Sequence, residues 1–142
     1  MPAAPAYFDA SAVLKRYVAE SGSDAVARLL RRHPLISSAL LVVEITSALH
    51  RRRAEFGPAG PKTTWKRFFE DRARWRLATV SDPVLALAED VIRSSGLRTL
   101  DAIHVGTAVL VGRELGSSLA FVTADGAQAS AAREAGLKVV VV

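Results

Sequence analysis

The chain has no cysteine among its 142 residues. That excludes disulfides, thiolate zinc sites and cysteine nucleophiles together, and it is compatible with a reducing compartment. Any metal must then be held by oxygen or imidazole. No apolar run approaches the ~18 residues that a membrane-spanning helix needs, and Met1 to Ala10 lack the basic segment and long apolar core of a secretion signal. The expectation is a cytoplasmic protein with no place in a membrane. Gly-x-Ser-x-Gly and phosphate-loop strings are absent, and no repeat, low-complexity tract or linker divides the chain.

What is there is a globular composition: half the residues are hydrophobic and 23% are charged. A chain of this length can bury a core without staples, so a single domain over residues 1–142 is expected. The net charge is +5, carried by fifteen arginines and four lysines, and it is unevenly spread. Residues 51–76 hold nine basic side chains, among them Arg51, Arg52, Lys62, Lys66 and Arg67, against Glu55, Glu70 and Asp71. Such a field attracts a polyanion such as RNA, and those five cations are the candidate phosphate contacts. A solvated helix face has the same composition. Trp65, Phe68, Phe69 and Trp75 interleave with these charges, which suits either a platform for stacking bases or an amphipathic helix with its rings turned inward.

Pattern and punctuation predict alternating strands and helices. Pro5 to Phe8 reads as a strand ending at Asp9, followed by a helical stripe of Val13, Leu14, Tyr17 and Val18. Ser23 is expected to cap a helix that Pro34 ends, and Leu35 to Ser37 to form a brief strand. A long helix follows through Leu41, Ile45 and Leu49, stopped by Gly57-Pro58-Ala59-Gly60-Pro61. The basic helix is placed at about 62–75 and a strand at Leu77 to Val80. Ser81-Asp82-Pro83 starts a further helix that Gly96 closes. Thr99 is expected to cap the next one, with Asp101 in its first turn. Leu119 to Thr123 and Leu137 to Val142 are apolar strands flanking a last helix. Strands apolar on both faces belong to a parallel sheet covered by helices.

Four acids stand out against this frame. In open parallel sheets functional groups gather beyond the carboxyl ends of the strands. Asp9 closes the first strand, and Asp125 follows the strand that ends at Thr123. Asp101 sits at the positive end of a helix dipole. Glu44 interrupts the apolar run Leu40-Leu41-Val42-Val43-Glu44-Ile45, where a carboxylate needs a partner. Each also has a plainer reading: Asp9 as a helix cap, Asp101 as an N-terminal helix acid, Asp125-Gly126 as a turn, and Glu44 on a polar stripe with Ser47 and Arg51. Taken together, four carboxylates brought to one place would repel unless cations neutralised them. Oxygen donors without thiolates select magnesium or manganese, and such ions activate water for displacement at phosphorus.

The order and local wording of these segments resemble PIN-domain nucleases, and among them the standalone toxins of the VapC kind. The resemblance rests on Tyr7-Phe8-Asp9-Ala10-Ser11-Ala12 with Lys15, Tyr17 and Glu20, and on Glu44 before Ser47-Ala48-Leu49. It continues in Leu100-Asp101-Ala102-Ile103-His104 with Thr107-Ala108, and in Phe121-Val122-Thr123-Ala124-Asp125 before Ala132 and Gly136-Leu137. It implies a three-layer α/β/α sandwich around a parallel sheet, and a magnesium- or manganese-dependent endoribonuclease leaving a 5′-phosphate. It further implies a cognate VapB-like antitoxin and a homodimer. By the same resemblance Asp9 and Asp101 are the principal metal ligands, Glu44 and Asp125 complete the acidic quartet, and Ser11 and Thr123 are hydroxyls that orient carboxylates or water. Glu20 is read as structural. Gly126-Ala127-Gln128-Ala129 lacks the basic residue often found after the last acid.

Other readings compete with this one. His104, one helical turn after Asp101, can share a metal with it, but Val105, Ala108 and Val109 point to packing. His33 and His50 sit beside arginines and read as exposed. An aspartate-nucleophile phosphatase uses a second aspartate two residues after the first, and here that position is Ser11. A non-catalytic RNA-binding module needs only the basic segment.

Overall fold

A computed structural model describes residues 3–56, 58–117 and 119–142. Gly57, part of the expected break, lies outside the described residues, as do Met1 and Pro2. The elements run β1 (Ala6–Phe8), α1 (Ala10–Leu14), α2 (Ser23–Arg32), β2 (Leu35–Ser38), α3 (Leu40–Arg51) and α4 (Gly60–Arg72). Then come β3 (Arg76–Ala78), α5 (Asp82–Ser95), α6 (Thr99–Leu115), β4 (Ala120–Thr123), α7 (Gly126–Glu134) and β5 (Lys138–Val141). A 3-10 turn at Arg53–Glu55 separates α3 from α4.

The five strands form one sheet in the order β3-β2-β1-β4-β5, every pair parallel. Alternation along β1 divides the core in two. Ala6 and Phe8 face a cluster with Val13, Val26, Leu41, Ile45, Leu49 and Phe68 from α1 to α4. Tyr7 faces the opposite cluster, with Val84, Ala102, Val105, Ala108, Phe121 and Ala132 from α5, α6, β4 and α7. The result is the expected three-layer α/β/α sandwich. Full burial of side chains such as Leu41, Ile45 and Leu49 stabilises it by about 1.5–3 kcal/mol each. Gly106 lets α6 press onto α5: a Cβ there would come within 3.0 Å of the Ala88 nitrogen and 3.1 Å of the Val84 carbonyl.

Several local expectations are corrected. The cap of α2 is Gly22, in the left-handed region at φ 92°, and the Ser23 hydroxyl instead accepts from the Glu20 amide. Thr99 is the first residue of α6, whose cap is Arg98 without a side-chain bond. The basic helix ends at Arg72, short of Trp75. The covered-sheet expectation holds for the central strands only. The edge strands are open, with Leu77 on β3 and Val141 on β5 36% and 54% exposed. Ser81 and Gly96 bound α5 as expected: the serine accepts from the Val84 amide and the glycine closes at φ 70°. Among the described residues, no helix is long and apolar enough to cross a membrane.

Candidate active site

Strand order reverses between β1 and β4, so a crevice opens at the carboxyl ends of these two neighbours. Asp9 leaves β1 there. It is 3% exposed and caps α1, its Oδ1 accepting from the Ala12 amide at 3.0 Å. The Ser11 hydroxyl stands 2.8 Å from each Asp9 oxygen and donates to that carboxylate, while accepting from the Ala124 amide at 2.9 Å. Burial pushes the Asp9 carboxyl from its ordinary 3.8 up to about 6, against the pull of the Ala12 amide and the His104 imidazole.

Asp125 reaches the same crevice from β4. It caps α7, its Oδ1 accepting from the Gln128 amide at 2.9 Å. Thr123, fully buried, accepts from the Asp125 amide at 3.0 Å and donates to Gln128 Oε1 at 2.8 Å. It holds the backbone of the turn and stands 3.3 Å from the Ser11 hydroxyl that bonds Asp9. Gln128 in turn donates to the Asp101 carbonyl at 3.2 Å, which ties α7 to the first turn of α6.

Asp101 is half-buried in that turn. Its carboxyl is raised by burial first, then by repulsion from Asp125 and Glu44, with His104 and Arg98 opposing. Asp101 and Asp125 line one cleft of about 280 Å³ with Arg98 and Ala127. Glu44 arrives from α3, on the other face of the sheet, with its Oε1 2.6 Å from His104 Nε2. It borders a second groove of about 410 Å³, lined by Ser11, Leu14, Val43, Leu100 and Arg51.

The four predicted acids thus converge on one end of the sheet from four elements. Among the described residues Asp9, Asp101 and Asp125 have no salt bridge, and Glu44 pairs only with His104. No three acidic or histidine side chains among those residues already stand close enough to enclose an ion. The donor set nevertheless fits a hard divalent cation in kind and in charge: it is all oxygen, negative, and short of cationic partners.

The predicted cations are dispersed. Arg51 is exposed, bonds the Ser47 hydroxyl, and lines the groove that Glu44 borders. Arg52 is committed elsewhere, to Glu20 at 3.1 Å and Glu55 at 2.9 Å. Glu20 also pairs with Lys15, as a structural acid should. Lys62 and Arg67 are exposed on α4, and Lys66 stands 3.9 Å from Glu70. Phe68 is fully buried and Trp65 and Trp75 pack against the same core, so the inward reading holds for these three rings. Phe69 remains exposed, with the Arg72 guanidinium 5.0 Å above its face.

The polar side chains that sequence reasoning left to packing are His104 and Tyr7. Both are buried, and the Tyr7 hydroxyl lies 2.7 Å from His104 Nδ1. Two signals were available: Glu44 needed a partner, and His104 shares a helix face with Asp101.

Comparison with known proteins bears on the family and the fold. The PIN domain family pattern matches residues 6–134. The chain is 38% identical over 135 residues to Ribonuclease VapC46 of Mycobacterium tuberculosis, covering 94% of this chain and 95% of that protein. Among solved structures, a toxin-antitoxin complex from Klebsiella pneumoniae aligns with a TM-score of 0.56 at 14% identity, over 84% of this chain and 86% of that one. PAE2754 from Pyrobaculum aerophilum aligns with a TM-score of 0.57 at 20% identity, over 90% and 79%. At these identities the two solved structures bear on the fold.

Proposed function

The chain belongs to the PIN-domain family, and from that premise we propose that it is a magnesium- or manganese-dependent endoribonuclease, the toxin of a toxin–antitoxin pair. The observation that carries the reading is the gathering of Asp9, Glu44, Asp101 and Asp125 at one sheet end. There Asp101 is raised by burial first and then by its acidic neighbours, and three of the four acids lack an ionic partner among the described residues. A fold keeps such a cluster at a cost in stability, and a divalent cation removes that cost. The related Mycobacterium protein is named a ribonuclease, and one solved neighbour is a toxin–antitoxin complex. Both support an RNA substrate and a VapB-like antitoxin partner here. The proposal further takes the toxin to be a cytoplasmic homodimer of single-domain subunits.

Asp9, Glu44, Asp101 and Asp125 are the side chains that would hold the ion. Once bound, the ion supplies an activated water and stabilises charge at phosphorus during in-line displacement. The chain's own residues prepare for this. Ser11 fixes the Asp9 carboxylate and joins it to the β4–α7 turn. Thr123 and Gln128 fix the turn that presents Asp125 and the backbone of Asp101. Arg51 stands at the groove beside Glu44, where a backbone phosphate of the RNA would meet it, and Lys62, Lys66 and Arg67 extend the attraction along α4. The phosphatase alternative loses ground, because Ser11 donates a hydrogen bond to Asp9 where a second acid would be required.

The test is RNA cleavage by purified, partner-free protein with magnesium, with manganese and with EDTA. Cleavage is expected with either ion, none in EDTA, and none in Asp9→Ala or Asp101→Ala. Cleavage that persists in EDTA or in both variants overturns the reading.

A further inference from the structure

We propose that the relay Tyr7–His104–Glu44, buried at its tyrosine and histidine, positions the Glu44 carboxylate relative to Asp9 and Asp101 for the divalent cation, an inference that rests on reading this pocket as a metal site. Tyr7 is 0% and His104 1% exposed. The Tyr7 hydroxyl stands 2.7 Å from Nδ1 of His104, and Nε2 stands 2.6 Å from Glu44 Oε1. The nearby hydroxyls of Ser37 and Thr107 spend their protons on the carbonyls of Phe8 and Ile103, at 2.7 and 2.6 Å. The phenol proton is therefore the one available to the imidazole. Tyr7 donates to Nδ1, Nε2 carries the ring proton, and that proton is given to Glu44. One Glu44 oxygen is held and the other is left free.

Placement distinguishes this chain from ordinary core packing. Tyr7 precedes Asp9 by two residues on the same extended segment, so both address one face of the sheet. His104 follows Asp101 by one turn of α6, and Glu44 comes from α3 in the opposite layer. Two buried groups and the partly exposed Glu44 thus connect the elements that carry three of the four acids, at the place where like charges push those elements apart. Packing alone does not call for polarity here. A phenylalanine and a leucine would fill the space without the cost of burying a hydroxyl and an imidazole. An outer partner that fixes a ligand's orientation does call for it, and such partners typically matter about 10- to 100-fold to metal affinity or activity.

The experiment titrates Mn²⁺ into the full-length protein and reads the free-ion electron paramagnetic resonance signal. It compares wild type, Tyr7→Phe, His104→Leu and His104→Gln, with melting temperature and RNA-cleavage kcat and KM measured alongside. Tyr7→Phe, which deletes one oxygen, is expected to weaken Mn²⁺ binding about tenfold and to lower kcat in parallel with KM unchanged. His104→Leu should lose more. His104→Gln, whose amide can donate from about the position of Nε2, should recover most of that loss. If His104→Leu does not fold, Tyr7→Phe carries the test. In the ¹⁵N spectrum of the imidazole, wild type should carry its ring proton on Nε2, and Tyr7→Phe should mix the two tautomers. Unchanged Mn²⁺ affinity in Tyr7→Phe, or a wild-type proton on Nδ1, overturns the positioning role alone. Wild-type protein that takes up no Mn²⁺ overturns the metal reading and this role with it.

Discussion

Two buried aspartates in this molecule are treated in opposite ways. Asp71, near the end of α4, is gripped by Arg16 Nε at 2.7 Å, by the Tyr17 hydroxyl at 2.7 Å and by Arg74 at 3.2 Å. Burial works against its charge, but these partners outweigh burial and hold its carboxyl below the ordinary range. Asp9, at the sheet end, receives one amide and one hydroxyl and no cation, and burial pushes it up to about 6. The first charge is consumed inside the fold, where it joins α4 to the turn that follows α1. The second is left for something the chain itself does not supply. A buried acid is therefore diagnostic only through its partners, and the direction of its pKa shift tells the two uses apart.

Mutation should separate the uses most sharply. Asp101→Asn is expected to cut RNA cleavage by at least about 100-fold, beyond the usual effect of losing an outer partner, while leaving the urea midpoint unchanged or raised. Asp71→Ala should do the reverse. It strands Arg16 and Tyr17 and should destabilise by roughly 2 kcal/mol, the lower end for a broken buried pair because Arg16 keeps some solvent. Cleavage per folded molecule should be unaffected. If Asp71→Ala lost cleavage at full stability, the two acids would not belong to different classes.

A subtler separation lies in pH. Asp9 keeps its proton in the metal-free fold up to about pH 6, whereas an ordinary aspartate loses it near 3.8. Its contribution to stability is whole below about pH 4 and is lost as the pH climbs through about 6. Asp71, with a lowered folded value, contributes above the ordinary range and loses that contribution as the pH falls below it. Urea unfolding in EDTA across roughly pH 3 to 7 should show the loss on rising pH shrink in Asp9→Asn, with the raised Asp101 left to carry the remainder, and the loss on falling pH shrink in Asp71→Asn. Slopes of the same sign in both variants would erase the contrast.

The smallest expected effects distinguish two neighbouring cations in the same way. Arg51→Ala should weaken RNA binding and reduce its logarithmic salt slope by about 0.7, the value for one lost single-strand phosphate contact. Arg52→Ala, whose guanidinium is occupied by Glu20 and Glu55, should leave that slope alone and cost at most about 1 kcal/mol of stability.

The sequence made the layers and the four acids legible because both follow from short-range signals. Apolar strands, capping residues and Gly/Pro breaks set the elements, and strand ends and helix starts are where Asp9, Asp125 and Asp101 were found. Asp71 was not legible. In sequence it is one acid within a basic helix, and its main partners, Arg16 and Tyr17, lie 55 and 54 positions away. The same distance hid the His104–Glu44 contact, since 60 residues separate them and neither local pattern names the other. The caps failed for a different reason. Ser23 and Thr99 are chemically suited to the role, but a left-handed glycine took the first place and Arg98 the second. The edge strands read as apolar because pattern alone does not say which strand lacks a neighbour.

The strand order has a consequence for how the molecule comes into being. β1, which is made before β4, has β4 as one of its two neighbours, and Asp125 lies just beyond β4. A ribosome must therefore have released residues well past 125 before the last wall of the pocket can close on the first. Until then the growing chain holds Asp9 beside an open sheet edge, unable to assemble the machinery its finished form carries.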